Sequence, residues 1–198
     1  FAAAGFVGAG GLAFVAFAGL GLLDRRVRYS DELSAKHLHV PPLLGVMPQW
    51  DRAPDNEDLP YAVANTVHWI RARLGVLHDP AAGPVVLTSA LSGEGKTSIV
   101  LSLGISYAHA GARVLIVDFD LVGREISRQL AETKPHGLRD AVASERPASM
   151  TLRTRIHGLD VLPATADDEL VAARFGAGEL RRFFSRLRES YDVVLVDT

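Results

Sequence analysis

The chain opens on an unbroken apolar run, turns polar and proline-bearing, shows helical spacing, and then alternates short hydrophobic runs with helical stretches. Residues 1–23, FAAAGFVGAGGLAFVAFAGLGLL, carry no charge and no strong hydrogen-bonding side chain. A run of about 18 such residues crosses the roughly 30 Å hydrocarbon core as a helix, which alone satisfies every backbone N–H and C=O of a lone segment without water. The run stops at Asp24, followed by Arg25, Arg26 and Arg28, and basic residues of that kind mark the cytoplasmic end. A signal peptide would place its charges before the apolar stretch, and a core helix would show a polar face. One transmembrane helix over residues 1–23 is therefore expected, with the rest of the chain in the cytoplasm. Gly5, Ala9 and Ala13 repeat at every fourth position, a spacing that lets helices approach, though so much Ala and Gly yields such stripes by chance.

Residues 24–60 read as a juxtamembrane linker. Pro41, Pro42 and Pro48 argue against a continuous helix there, and Leu43 to Met47 could form a short strand or a docking segment. His37 and His39 have no third ligand nearby and read as solvated. The spacing of Val63, Val67, Ile70, Leu74 and Leu77 predicts an amphipathic helix over 61–77 packed on the domain that follows, with Arg71 and Arg73 off the stripe and solvated or paired on the surface.

From Pro84 the pattern changes period. A buried strand over 84–89 runs into Ala90-Leu-Ser-Gly-Glu-Gly-Lys-Thr97, and a helix follows over 98–110. Strand, glycine-bearing loop and helix is the setting of a P-loop, and residues 61–198 read as a P-loop ATPase domain. Gly93 and Gly95 let backbone N–H groups turn toward phosphate oxygens, and the helix that follows adds its positive dipole end. The expected nucleotide-binding set is Ser92, Gly93, Glu94, Gly95, Lys96, Thr97 and Ser98, with Lys96 on the β- and γ-phosphates of ATP and the Thr97 hydroxyl on Mg²⁺. Ala90 stands where the P-loop pattern has its first glycine.

Two more hydrophobic runs end in aspartate. Residues 113–120 predict a parallel strand whose Asp118 and Asp120 project to one side, and two close carboxylates call for a cation between them, Mg²⁺ being the candidate. Residues 191–197 repeat the form, and Asp197 has the character of a residue that holds Mg²⁺ directly or through water. Helical stretches near 123–130 and 178–190 and a short strand at 159–162 lie between them. The fold class expected is α/β: a P-loop NTPase with a mostly parallel, doubly wound sheet, preceded by one transmembrane helix. Phe1 at the start and Thr198 just after the third motif read as the ends of a fragment, with further strands outside it.

Composition narrows the partners. A formal net charge of -2 argues against a nucleic-acid groove, and the lack of cysteine excludes disulfides and thiolate metal sites.

With those residues in view, the chain resembles bacterial tyrosine kinases of the polysaccharide co-polymerase family, whose cytoplasmic P-loop domain is related to the Min and Par ATPases. Residues 42–48 resemble its juxtamembrane stretch, residues 87–97 its Walker A motif, residues 114–121 its second aspartate motif, and residues 158–164 and 191–198 two further stretches. The resemblance implies an inner-membrane protein with its ATPase domain on the cytoplasmic side, working in exopolysaccharide biosynthesis and export with the export machinery, as a homo-oligomer. It implies autophosphorylation, in which the γ-phosphate of ATP passes to tyrosine. Lys96, Asp118 and Asp120 would be catalytic, Asp120 taking the proton of the incoming hydroxyl; Thr97, Asp118 and Asp197 would hold the metal. Asn65, His68 and Arg71 stand where the family's oligomer motif has Glu, Arg and Arg; Arg124 is displaced from the position after Leu121; and Tyr29, Tyr61, Tyr107 and Tyr191 are scattered, Tyr107 and Tyr191 reading as packing residues. A non-kinase, ATP-binding regulator of polysaccharide export is the alternative reading. A Min- or Par-type partitioning ATPase is a further one, although Ala90, Leu91 and Ser92 hold the positions of that group's second lysine.

Overall fold

Two strands with every residue buried form the centre of the molecule: β2 (Val114–Asp118) and β5 (Val193–Asp197). A run of β-branched and leucine side chains without polar alternation is what a parallel strand needs when both of its faces are covered. In the computed structural model, residues 42–48, 59–78, 83–129, 136–168 and 175–198 are described. The chain divides into two compact units, Phe1–Leu43 and Leu44–Thr198, and the fold below belongs to the second. The run over 1–23 lies outside the described residues, as do His37, His39 and Tyr29; among the described residues no helix is long and apolar enough to cross a membrane.

In chain order the elements are α1 (Leu59–Leu77), β1 (Val85–Leu87), α2 (Lys96–His109), β2, α3 (Glu125–Gln129), α4 (Leu138–Ala143), a 3₁₀ turn at Pro147–Met150, β3 (Leu152–Arg153), β4 (Leu159–Leu162), a second 3₁₀ turn at Ala166–Asp168, α5 (Ala177–Leu187) and β5. The sheet order is β1-β5-β2-β4-β3. The pairs β1–β5, β5–β2 and β2–β4 are parallel, and β3 closes the edge antiparallel to β4.

Alternation sorts the strand side chains onto two cores. Val114 and Ile116 of β2, with Val193 and Leu195 of β5, meet Val100 and Leu103 of α2 and the α1 residues Val63, Val67 and Ile70. Leu115, Val117, Val194 and Val196 face the other way, onto Leu138 of α4 and Phe183 and Leu187 of α5. Helices thus cover both faces, as the doubly wound reading expected. A Cβ on Gly104 of α2 would lie 2.8 Å from Ile116 Cδ1, so α2 packs with its backbone nearly on β2. The helix ends where Gly111 takes φ 88°, a left-handed turn that glycine enters without steric cost.

Several expectations are corrected. Leu77 is 56% exposed, so the buried stripe of α1 ends at the half-buried Leu74. Arg71 is not a free surface residue: its Nε donates to Ser106 Oγ at 3.0 Å and its guanidinium lies over the Tyr107 ring. Of the two readings of Leu43 to Met47, a short strand or a docking segment, the second holds: Leu44 and Met47 dock on the first core, and Gly45 sits so close to α1 that a Cβ would meet Ile70 Cγ1 at 2.7 Å. Neither α4 nor β3 was legible in the sequence. Tyr107 and Tyr191 are packing residues as expected, each 7% exposed.

Candidate functional site

The three parallel strands β1, β5 and β2 end level with one another. Leu87 pairs with Asp197, and Asp197 pairs with Asp118. Asp118 shares the parity of Val114 and Ile116, and Asp197 that of Val193 and Leu195, so both carboxylates point to the face covered by α2. The helix α2 starts there, at Lys96. Its N-cap is Gly95 at φ 83°, with no side chain capping it, which leaves the first-turn N–H groups directed at the loop. Gly93 takes φ 81°, and nothing lies within 4 Å of the Cβ position of either glycine, so the loop presents an open backbone cradle suited to phosphate.

The loop is held from within. Glu94 Oε2 accepts the Leu91 N–H at 3.1 Å, Ser89 Oγ donates to Leu91 O at 2.7 Å, and Lys96 Nζ donates to Ser89 Oγ at 3.1 Å. Ser92, Gly93, Glu94 and Ser98 are exposed, and Gly95, Lys96 and Thr97 half-buried. A groove of about 950 Å³ runs from Met47 and Pro48 past Val63 to Gly93, Gly95 and Ser98, so the docked linker segment forms one wall beside the loop.

Thr97 Oγ1 donates to Asp197 Oδ2 at 2.7 Å. Asp197 is 1% exposed, and its other oxygen, Oδ1, is buried with no hydrogen-bond partner among the described residues. A buried carboxylate oxygen without a donor is costly and marks a place for a cation. Burial pushes the Asp197 carboxyl above the usual carboxylate range; the Thr97 hydroxyl opposes this, the Asp120 carboxylate adds to it and Lys96 opposes it. Burial likewise raises Asp118, Ser127 pulls it back, and the charge of Asp197 pushes it up again. Asp197 therefore feels the charges of Asp120 and Lys96, and Asp118 feels that of Asp197. The orphaned oxygen, the adjacent hydroxyl and the oxygen-only donor set fit a hard divalent cation such as Mg²⁺.

Asp118 is fully buried and held by three donors: the Asp120 N–H at 3.2 Å on Oδ1, and the Ser127 N–H at 2.9 Å and Oγ–H on Oδ2. Asp120 departs from expectation. It lies not on the strand, which ends at Asp118, but in the turn after it, where its Oδ1 accepts the Gly123 N–H at 2.8 Å. A short carboxylate side chain that bonds its own downstream backbone competes with the sheet ladder, and here it wins. Sequence reasoning missed Ser89, Ser127 and Gly123. Ser127 and Ser89 carry no spacing signal, and the need for Gly123 appears only in space, where a Cβ would lie 2.0 Å from Asp120 Oδ2.

Comparison with known proteins agrees with this geometry. Over 119 residues the chain is 30% identical to the chromosome-partitioning ATPase Soj of Treponema pallidum, covering 57% of this chain and 47% of Soj. Over 117 residues it is 26% identical to CapB of Staphylococcus aureus, a protein named as a candidate tyrosine-protein kinase, covering 58% of this chain and 50% of CapB. The chain spans about half the length of these two curated relatives. Among solved structures it resembles the chimerical protein CapA2B2, with TM-score 0.60, 26% identity and coverage of 79% of this chain and 70% of that one. It also resembles a cobyrinic acid a,c-diamide synthase from Mycobacterium smegmatis with bound ADP and magnesium, with TM-score 0.50, 26% identity and coverage of 58% and 50%. This is an ATP-binding P-loop domain resembling bacterial tyrosine kinase domains, with partitioning ATPases among its relatives. The AAA domain family profile (AAA_31) matches residues 85–198, more than half of the chain, and the chain belongs to that family.

Proposed function

We propose that this chain is a membrane-anchored ATP-binding protein of exopolysaccharide biosynthesis and export that transfers the γ-phosphate of ATP to tyrosine. The observation that carries the reading is the meeting, at the ends of β1, β5 and β2, of Lys96, Thr97, Asp197, Asp118 and Asp120. Bound Mg²⁺ would supply positive charge to the β- and γ-phosphate oxygens. Thr97 Oγ1 and Asp197 Oδ1 would hold it, with Asp118 beside them. Lys96 neutralises phosphate charge and orients the γ-phosphate, and the N–H groups of the glycine loop fix its oxygens. Asp120, in a turn at the rim, accepts the tyrosine hydroxyl proton as the new O–P bond forms, the bond from the γ-phosphorus to its bridging oxygen breaks, and ADP leaves.

Likeness to CapB, named as a candidate tyrosine-protein kinase, supports the kinase reading. The uncharged run at 1–23 followed by Arg25, Arg26 and Arg28 supports an inner-membrane anchor with this domain on the cytoplasmic side. Tyr61, Trp69 and Val76, all highly exposed on α1, support assembly with further copies. A second reading rests on the likeness to Soj and on Asn65 and His68 at the oligomer motif: an ATP-binding regulator without tyrosine transfer. The two separate when full-length protein is incubated with γ-labelled ATP beside Lys96→Ala and Asp120→Asn. Label on tyrosine, lost in both variants, is the expected result; ATP binding without tyrosine label leaves the regulator.

A further inference from the structure

We infer that Ser127 is a positioning residue of the cation site, fixing the Asp118 carboxylate by joining the ends of β2 and β4. The inference rests on Asp118 belonging to that site. Ser127 is 1% exposed and makes three hydrogen bonds toward functional ground. Its N–H donates to Asp118 Oδ2 at 2.9 Å and its hydroxyl donates to the same oxygen. The hydroxyl oxygen in turn accepts the Ala164 N–H at 2.8 Å, just beyond the end of β4. A relay therefore runs from the Ala164 N–H through the Ser127 hydroxyl to Asp118, each bond polarising the next. The Ala164 bond settles the direction of the hydroxyl proton, because an oxygen already accepting from an amide turns its own hydrogen to the carboxylate.

The geometry divides the work between the two register-paired aspartates. Asp197 offers an oxygen with no donor, while both oxygens of Asp118 are engaged. Asp118 can then present its charge only in one orientation, and Ser127, placed on Oδ2 by the first turn of α3, sets that orientation. Serine suits the post because a short hydroxyl can donate to a carboxylate and accept from a backbone amide within a fully buried space. Groups that orient carboxylates at a cation site from behind commonly change metal affinity about 10- to 100-fold when removed.

The test compares Ser127→Ala, Ser127→Thr and Asp118→Asn in the full-length protein, titrated with a fluorescent ATP analogue in EDTA and again in excess Mg²⁺. The readout is the gain in affinity that Mg²⁺ brings. Ser127→Ala is expected to bind within about twofold of wild type in EDTA and to lose roughly 10-fold of the Mg²⁺-dependent gain. Ser127→Thr, which keeps the hydroxyl, is expected to regain it. A Ser127→Ala protein with the full gain, or one weakened by the same factor with and without Mg²⁺, overturns the assignment. If thermal melting shows Ser127→Ala unfolded, the isosteric, weakly donating Ser127→Cys takes its place under the same criteria. Asp118→Asn separates the two levels: an undiminished gain there removes Asp118 from the cation site, whereas a gain lost there but kept in Ser127→Ala removes only the role of Ser127.

Discussion

Replacing Asp197 with asparagine is expected to stabilise the cation-free protein while removing its response to Mg²⁺·ATP. Asp197 and Asp118 are register partners on neighbouring parallel strands, and both point to the α2 face. Strands lie about 4.8 Å apart, so the two carboxylates stand roughly 5 Å from each other. At an effective dielectric constant of about 20, two such charges repel by about 3 kcal/mol. Burial and neighbouring carboxylates push both groups above the usual carboxylate range, the direction such repulsion gives. Asparagine keeps an oxygen for the Thr97 hydroxyl, now 2.7 Å from Asp197, and removes the buried charge. A net gain of about 1–2 kcal/mol follows, or roughly 3–6 °C in Tm for a domain of this size. In wild type, Mg²⁺·ATP at about 100 times its Kd should add about 2.7 kcal/mol. Asp197→Asn should lose most of that increment. Thermal melts in EDTA and in Mg²⁺·ATP measure both effects on one sample. An apo Asp197→Asn protein that melts at or below the wild-type temperature, or that keeps the full nucleotide shift, refutes the picture of a carboxylate pair awaiting a cation.

Other perturbations probe separate links. Gly123→Ala places a methyl 2.0 Å from Asp120 Oδ2 and must displace that carboxylate, so phosphate transfer should fall at least 10-fold while equilibrium ATP binding stays near wild type; equal transfer rates would remove Asp120 from the chemistry. Gly45→Ala drives a Cβ to 2.7 Å from Ile70 Cγ1 and should cost about 1–3 kcal/mol in denaturant unfolding by lifting residues 44–48 from α1; an unchanged midpoint would show that the docking is slack. Tyr191, bonded to Thr151 and Asp160, is pushed up to about 12, chiefly by burial. The native state then keeps a proton that the unfolded chain releases above its ordinary value near 10, so this contribution of about 2–3 kcal/mol is whole below that pH and lost as pH rises to about 12. Tyr191→Phe should flatten the stability profile in that window and remove a late-titrating phenol from the tyrosinate absorbance; a parallel profile contradicts the assignment.

The parts of the fold that could be read in advance share one physical cause. A parallel strand buried on both faces is written as a continuous hydrophobic run, and its functional end as an aspartate, so β2 and β5 were legible to within two or three residues, while β4 was legible only as a short apolar strand. The glycine loop was legible because positive φ and an open cradle demand glycine at fixed spacing. What was not legible depends on distant partners. The six-residue helix α4 has no local cap; the Asp168 carboxylate, thirty residues on, accepts the Leu138 and Arg139 N–H groups in its place. The two-residue β3 is too short to carry a period. Arg71 reads as solvated or paired on the surface until the buried Ser106 is seen beside it, and Ser127 is one serine among several until Asp118 and Ala164 close on it.

The central claim is that Lys96, at the start of α2 behind the glycine loop, binds the phosphates of ATP. Calorimetric titration of the full-length protein with Mg²⁺·ATP, wild type against Lys96→Ala, tests it most directly. Loss of a charge-assisted contact of about 1.5–3 kcal/mol should weaken binding roughly 10- to 100-fold in a variant that melts as wild type does. An unchanged Kd in the folded variant would contradict the claim and place the nucleotide elsewhere.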